Sequence, residues 1–258
     1  MKERIRNFFR YRYLLWELVK KGIKLKYRRS YLGIFWSLLE PLLTMVVLTV
    51  IFGTLLGHNE KTFAVYVLSG RLLYSFFSQS TGAALRSIRG NSAMIKRVYV
   101  PKYLYPLSSV MFNYVIFALS LIVLAAVSLI MGVYPSVYSL QLIIPLVLLM
   151  IFSFGVGMIL ATVGVFFRDM EYLWNVVLML VMYTCAIFYY PDNLIKSGKG
   201  WLLKMNPLFC IIDNFRSGLF GELMNTKMLA YSAFASVFVL IFGLWIFYKK
   251  QDEFILHI

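Results

Sequence analysis

The sequence predicts an all-α polytopic membrane protein: six transmembrane helices with an N-terminal amphipathic interface helix, a short cytoplasmic helix and outer re-entrant helices. Three observations carry that reading. Hydrophobic residues make up 61% of the 258 residues and the mean hydropathy is +0.77, well above the roughly 45–50% apolar content of soluble domains. Six apolar segments, about 35–56, 63–85, 104–132, 140–167, 172–191 and 228–248, recur along the chain, each near the roughly 20 residues that a bilayer core requires. The Lys and Arg residues divide unequally between alternate connections, 19 of 26 on one side. Because these residues stay cytoplasmic beside a span, both termini fall in the cytoplasm, as an even number of spans demands. The chain reads as one domain, 1–258, with the interface helix at 1–31, the bundle at 35–248 and a cytoplasmic tail at 249–258.

Eleven Lys and Arg fall in the first 29 residues. Phe8, Tyr11, Leu15, Leu18, Gly22 and Leu25 follow helical spacing on one face, and Arg6, Arg10, Glu17, Lys21, Lys24 and Arg28 follow it on another. Such a basic amphipathic helix settles at the headgroup boundary, either as a simple topology anchor or as a scaffold beside a cytoplasmic partner. It is not a cleavable signal, because its basic part is long and no small-residue cleavage site follows the apolar run.

The first span holds Glu40 followed by Pro41, and the second holds Arg71. Ionisable groups at membrane depth are expensive and commonly functional. At 1.5 Å rise per residue, Glu40 is expected near the inner end and Arg71 near the outer end, which argues against a direct pair within one subunit. Glu40 suits a role at the inner mouth or against the leader; Arg71 suits either substrate contact or snorkelling to outer headgroups.

Between spans two and three, Asn91 or Ser92 can cap a short helix through Met94, Ile95, Lys96 and Arg97, with Pro101 limiting its length. This is either an ordinary basic loop or a helix shaped for a groove on another protein. The outer connection 191–227 is long yet apolar. Asn206-Pro207 signals a helix start, and Leu208–Ile212 and Leu219–Phe220 are too short to span. They read as half-inserted pieces bordering a conduit exit, because irregular backbone at that depth needs cover from protein or a water-filled path.

Several chemistries are excluded. The net charge of +15 sits beside spans, so anionic lipid and topology account for it rather than nucleic acid. No GxxxxGK[ST] loop exists, so this chain has no P-loop ATP site. Asp169 and Glu171 in FFRDMEY, and Asp252 and Glu253, are the only close carboxylate pairs and do not form an Mg²⁺-holding phosphotransfer cluster. With His58 and His257 alone and no paired Cys/His spacing, no metal site is expected. A disulfide between Cys185 and Cys210 is neither required nor excluded. Aromatic residues reach 17%. Most suit interfacial belts, but Phe35 and Trp36, and Tyr183, Phe188, Tyr189 and Tyr190, lie where a conduit for sugars could pass.

Five stretches in order, RRSYLGIFWSLLEPLLTMVVLTVIF, YVLSGRLLYSFFSQS, NSAMIKRVYVPKYLYPLSSV, FFRDMEY and MNPLFCIIDNFR, resemble the membrane subunits of ABC-2 polysaccharide exporters. These permeases move O-antigen, capsule or wall teichoic acid precursors across the bacterial plasma membrane. The resemblance implies a multi-pass inner-membrane homodimer working with two copies of a separate ABC ATPase subunit, which alone carries ATP and Mg²⁺; this chain would have no catalytic site or cofactor. It implies ATPase coupling at Tyr31, Leu32, Gly33, Met94, Ile95, Lys96 and Arg97. The substrate path would run along Phe35, Trp36, Glu40, Tyr183, Phe188, Tyr189 and Tyr190. Asn206 and Pro207 would organise the outer helices, and Arg168 and Asp169 the turn between spans four and five. A lipid-linked head would enter from the inner leaflet, its diphosphate held by Lys20, Lys21, Lys24, Arg28 and Arg29. An ABC-2 permease for a drug or lipid shares the same expected fold. A membrane enzyme acting on polyprenyl-linked sugars is disfavoured by the few carboxylates, and a secondary transporter by the absence of paired broken helices.

Overall fold

A computed structural model describes residues 11–28, 30–56, 61–191, 198 and 200–258; side chains at 48–49, 52–56 and 61 are excepted. Arg29, His58 and the leader residues Arg6, Phe8 and Arg10 lie outside the described residues, as do Lys196 and Lys199. Among the described residues the regular structure is helical throughout. The helices are α1 (Arg12–Tyr27), α2 (Trp36–Leu56), α3 (Lys61–Gly90), α4 (Ser92–Arg97), α5 (Leu104–Ile130), α6 (Ile143–Phe166), α7 (Met170–Thr184), α8 (Gly200–Lys204), α9 (Pro207–Leu219), α10 (Thr226–Lys250) and α11 (Phe254–His257).

Helix α1 is built from strong helix formers, Leu and Lys above all. It buries Leu15, Leu18 and Val19 against α5. Gly22 sits on the ring of Phe112, where a Cβ would come within 2.7 Å of the ring, so only glycine lets the two helices approach this closely. Leu25, expected on the same face, is 56% exposed. The packing stripe drifts from the 3-4-3-4 line because α5 crosses only the middle of α1.

A short 3-10 turn, Gly33–Phe35, leads into α2. Gly33 takes φ +50, a region that glycine occupies without Cβ strain. Pro41 lies inside α2 and cannot donate to the carbonyl four residues back, which belongs to Ser37. Ser120 Oγ of α5 donates to that Ser37 carbonyl at 3.0 Å, so a neighbouring helix satisfies what the proline frees. This is how an apolar environment tolerates an interior proline.

The core is the packing of α3 against α5 and α6, and of α6 against α10. The α6–α10 crossing depends on small residues: a Cβ on Gly155 would lie 2.6 Å from the Leu240 backbone nitrogen, and one on Gly243 would lie 2.5 Å from the Gly155 carbonyl oxygen. Close approach of backbones at small residues is the usual way that helices associate where burial from water no longer drives packing. Ser153, Ser232 and Ser236 are buried alongside, Ser236 Oγ donating to Ser232 O at 2.6 Å.

Among the described residues, three helical stretches are each long and apolar enough to cross a membrane: Leu104–Ile130, Val137–Phe166 and Thr226–His257. Gly33–Val47 and Met170–Thr184 are shorter apolar helices. The expected fifth span, 172–191, is overextended: α7 stops at Thr184, about 22 Å of helix at 1.5 Å per residue. The chain leaves it through Ala186, whose φ is +46, a left-handed conformation disfavoured for a residue with a Cβ. In the opposite direction, α3 runs 30 residues, past the end of the apolar segment 63–85, and its last turns pack Leu85 and Ile88 on the start of α5 and the end of α6.

Candidate functional site

A small recess lined in part by polar side chains lies between α1, α2, α3 and α5. Its walls carry Lys26 at the end of α1, Glu40 and Thr44 on α2, Arg71, Ser75 and Gln79 on α3, and Asn113 on α5. Lys26 Nζ donates to Gln79 Oε1 at 2.8 Å, and Gln79 Nε2 donates to Ser75 Oγ at 2.8 Å. Burial depresses the Lys26 ammonium below the usual lysine range, with nearby Glu40 acting in the opposite sense. Arg71 Nη1 reaches the Met182 thioether on α7 at 3.9 Å. Glu40 and Arg71 both line this recess, and, as expected, no ion pair joins the two among the described contacts.

The basic face of α1 forms a second feature. Lys20, Lys21, Lys24 and Arg28 line one shallow groove with Glu17 and Leu25. Glu17 pairs with Lys20 at 2.9 Å, which leaves the groove cationic. Arg29 lies outside the described residues.

A buried arginine that the sequence reading overlooked organises the turn after α7. Arg216 on α9 is 3% exposed. Its Nη1 donates to Ala186 O at 3.0 Å, and Nη2 donates to Tyr66 O at 3.1 Å and Ile187 O at 3.5 Å. The guanidinium lies 3.4 Å over the Tyr66 ring, and the Tyr66 hydroxyl donates to Ala186 O and Tyr189 O, each at 3.1 Å. These bonds hold the left-handed turn after α7. Gly70 makes room, since a Cβ there would meet Arg216 Nη2. The run NPLFCIIDNFRSGLF, with one arginine amid apolar residues, was the available signal. Asn206 performs its expected role: Oδ1 accepts from Leu208 N at 3.0 Å with Pro207 at the first helical position. Its Nδ2 donates to Thr184 Oγ1 at 3.0 Å, tying α9 to the end of α7. Cys185 and Cys210 are free thiols, both buried.

The remaining predicted residues separate by environment. Tyr31, Leu32, Phe35, Trp36 and Tyr183 are exposed. Phe188 and Tyr190 pack into the outer aromatic cluster with Phe63 and Tyr66, the Tyr66 and Tyr190 rings being 4.6 Å apart, and Tyr189 donates its hydroxyl to Tyr183 O at 2.8 Å. Tyr189 thus stays beside the Tyr183 backbone, while Phe188 and Tyr190 lie in the aromatic cluster. On α4, Asn91 occupies the cap position, but its amide donates back to Ser87 O at 2.8 Å. Ile95 is 8% exposed and points into the molecule, while Lys96 and Arg97 are exposed. Asp169 precedes α7, and Glu171 pairs with Arg86 at 2.6 Å, joining the turn after α6 to the end of α3.

Apolar helices, an amphipathic leader with a basic groove and polar groups recessed between helices describe a multi-pass membrane protein. Residues 13–220 match the family model described as ABC-2 type transporter; the chain belongs to that family and is a multi-pass membrane protein. It is 29% identical over 243 residues to the O-antigen export system permease protein RfbA of Klebsiella pneumoniae, covering 93% of each chain. It is 27% identical to the protein of the same name from Myxococcus xanthus, covering 97% of each, and 24% identical to the polysialic acid transport protein KpsM of Escherichia coli, covering 92% of each.

Proposed function

We propose that this chain is the permease subunit of an ATP-driven ABC exporter that moves a lipid-linked polysaccharide, of O-antigen, capsule or teichoic acid type, across the plasma membrane. The observation that carries the proposal is similarity along almost the whole chain to proteins named for O-antigen export and polysialic acid transport. In this reading six spans (α2, α3, α5, α6, α7 and α10) cross the membrane with both termini cytoplasmic. Two copies assemble, and two copies of a separate ABC ATPase bind ATP and Mg²⁺. The α7 helix packs little on the rest of its own subunit and exposes Leu173, Val176, Leu180 and Tyr183; α2 exposes Leu43, Val46, Val47, Val50 and Ile51. These two faces suit a second copy bordering a shared conduit. The cationic groove on α1 takes the lipid diphosphate as a charge-assisted contact, and the polar recess behind it offers a route inward. ATP binding draws the ATPases together, and because only a ligand with different affinity for two states shifts them, that event drives the opening.

The test is export in a deletion strain complemented with this chain. Restored surface glycan that depends on a functional ATPase, and that is lost on neutralising Lys20, Lys21, Lys24 and Arg28 together while the complex still assembles, is the expected result. Glycan-modifying activity of the isolated chain on a polyprenyl-linked sugar, without ATP, would instead establish the membrane enzyme.

A further inference from the structure

Of the three long apolar stretches, the one that contains α10 is the least buried by the rest of the chain. The α10 helix buries Ser232, Ser236, Gly243 and Phe247, the face on which α6 crosses it. At 3.6 residues per turn, a residue two places further along lies on the opposite side of a helix. That side of α10 carries Phe234, Phe238, Phe242 and Trp245, which are 71%, 58%, 42% and 58% exposed. Successive rings stack on one another, with centroids 6.2, 6.2 and 6.1 Å apart and interplanar angles of 18°, 4° and 26°. Lys249 closes the row, its Nζ 5.2 Å over the Trp245 ring.

The row has the length of one leaflet. Phe234 to Trp245 spans about 16.5 Å at 1.5 Å per residue, and half of a 30 Å hydrocarbon core is about 15 Å. Trp245 then sits among the headgroups and Phe234 near the midplane. Interfacial belts lie at headgroup level, which accounts for the tryptophan but not for the three phenylalanines running inward from it. Rings already stacked on their neighbours have little freedom left to lose, so a chain ordered against them gives up less entropy than one ordered against flexible side chains. Beyond Phe234 the helix is tied to protein instead, Tyr231 donating its hydroxyl to Met205 O at 2.8 Å. The charge at the other end is also specific. Lys250 pairs with Glu253 at 2.8 Å, whereas exposed Lys249 has no carboxylate partner among the described contacts. One unneutralised cation at headgroup level favours an anionic headgroup.

We infer that α10 carries a binding site for one anionic phospholipid of the cytoplasmic leaflet. Its phosphate meets Lys249, and one acyl chain lies along Trp245, Phe242, Phe238 and Phe234. The choice of leaflet rests on the orientation proposed above; the site itself does not depend on what is exported.

The test is native mass spectrometry of the detergent-purified full chain, titrated with phosphatidylglycerol or with phosphatidylcholine carrying the same acyl chains. Bound phosphatidylglycerol should exceed bound phosphatidylcholine by about five-fold, the scale of one lysine beside an anionic membrane surface. Lys249→Gln should abolish that preference, and Lys227→Gln, at the opposite end of α10, should leave it intact. Replacing Phe234, Phe238 and Phe242 together by leucine should lower retention of both lipids, with the protein still monodisperse because none of the three packs in the core. Equal binding of the two lipids by the wild-type chain, an equal loss of preference in Lys227→Gln, or undiminished retention in the leucine variant would each overturn the inference. So would a bis-maleimide cross-link between copies of Phe238→Cys in native membranes, which would give the row to a second copy of the chain. None of these outcomes bears on the exporter reading.

Discussion

Gly70 and Arg216 form a pair whose coupling can be worked out from the geometry. Arg216→Ala removes three donors from the carbonyls of Tyr66, Ala186 and Ile187 and uncovers the Tyr66 ring. Hydrogen bonds from charged groups contribute about 1.5–3 kcal/mol each and a desolvated cation–π contact about 2 kcal/mol, set against the desolvation of the cation; breaking such a buried network costs about 3–5 kcal/mol net. Gly70→Ala reaches much the same end by another route. Its new Cβ would overlap Arg216 Nη2 and lie 3.1 Å from Cζ, which expels the guanidinium. Because alanine is favoured over glycine inside a helix by about 1 kcal/mol, the net loss is about 3 kcal/mol. At about 2–4 °C per kcal/mol for a chain of this size, Tm falls by about 6–12 °C. In the Arg216→Ala background the obstacle is gone, and Gly70→Ala should be neutral or raise Tm by a few degrees. The double-mutant cycle therefore shows coupling of about 3–4 kcal/mol, at or just above the upper end for contacting residues. The assay is thermal unfolding of the detergent-purified protein with all four variants side by side. If Gly70→Ala lowers Tm equally in both backgrounds, the space at Gly70 does not exist for Arg216 and the account of the outer turn is wrong.

Other outcomes follow from the same geometry. Gly155→Ala forces α6 and α10 apart at the Leu240 backbone and should cost about 1–3 kcal/mol as overpacking, seen as a lower Tm; an unchanged Tm would remove the close crossing. Lys102 has its ammonium held below the usual lysine range by burial, with Asp252 acting in the opposite sense. A lysine whose folded pKa is depressed is penalised for staying protonated, so its contribution grows as pH rises through the folded value toward 10.5 and is lost as pH falls. Wild-type Tm should therefore rise with pH in the alkaline range below 10.5 relative to Lys102→Met; parallel curves would refute this. Glu171→Gln breaks an ion pair whose side chains are 60% and 38% exposed and, as an exposed pair, should change stability by less than about 1 kcal/mol.

The structure also sorts which sequence signals can be read locally. The Asn206-Pro207 start of α9 was legible because a cap and a first-turn proline act within a few residues. The short α4 helix was legible for the same reason, although Asn91 spends its side chain on Ser87. The end of α7 was not legible: apolar residues continue unbroken to Tyr190, and the helix stops at Thr184 because Arg216, some thirty residues on, claims the carbonyls of Ala186 and Ile187. The shared recess of Glu40 and Arg71 was likewise hidden, since a height count along separate helices carries no information about crossing angles or side-chain reach.

By itself the sequence determined the helical membrane class, the basic amphipathic leader, the capped helix start at Asn206-Pro207 and, through five stretches in order, the family. The first three follow from period, length and charge and are readable within a window of one helix; the family rests on specific residues spread along the chain. Tertiary structure alone decided which polar groups meet. Ser120 satisfies the carbonyl freed by Pro41, Lys26 reaches Gln79, Ile95 turns inward, and Phe254 folds the tail back onto Phe166. Each of these pairs residues far apart in the chain, and at membrane depth such pairing is set by the need to satisfy every buried polar group from a neighbouring helix.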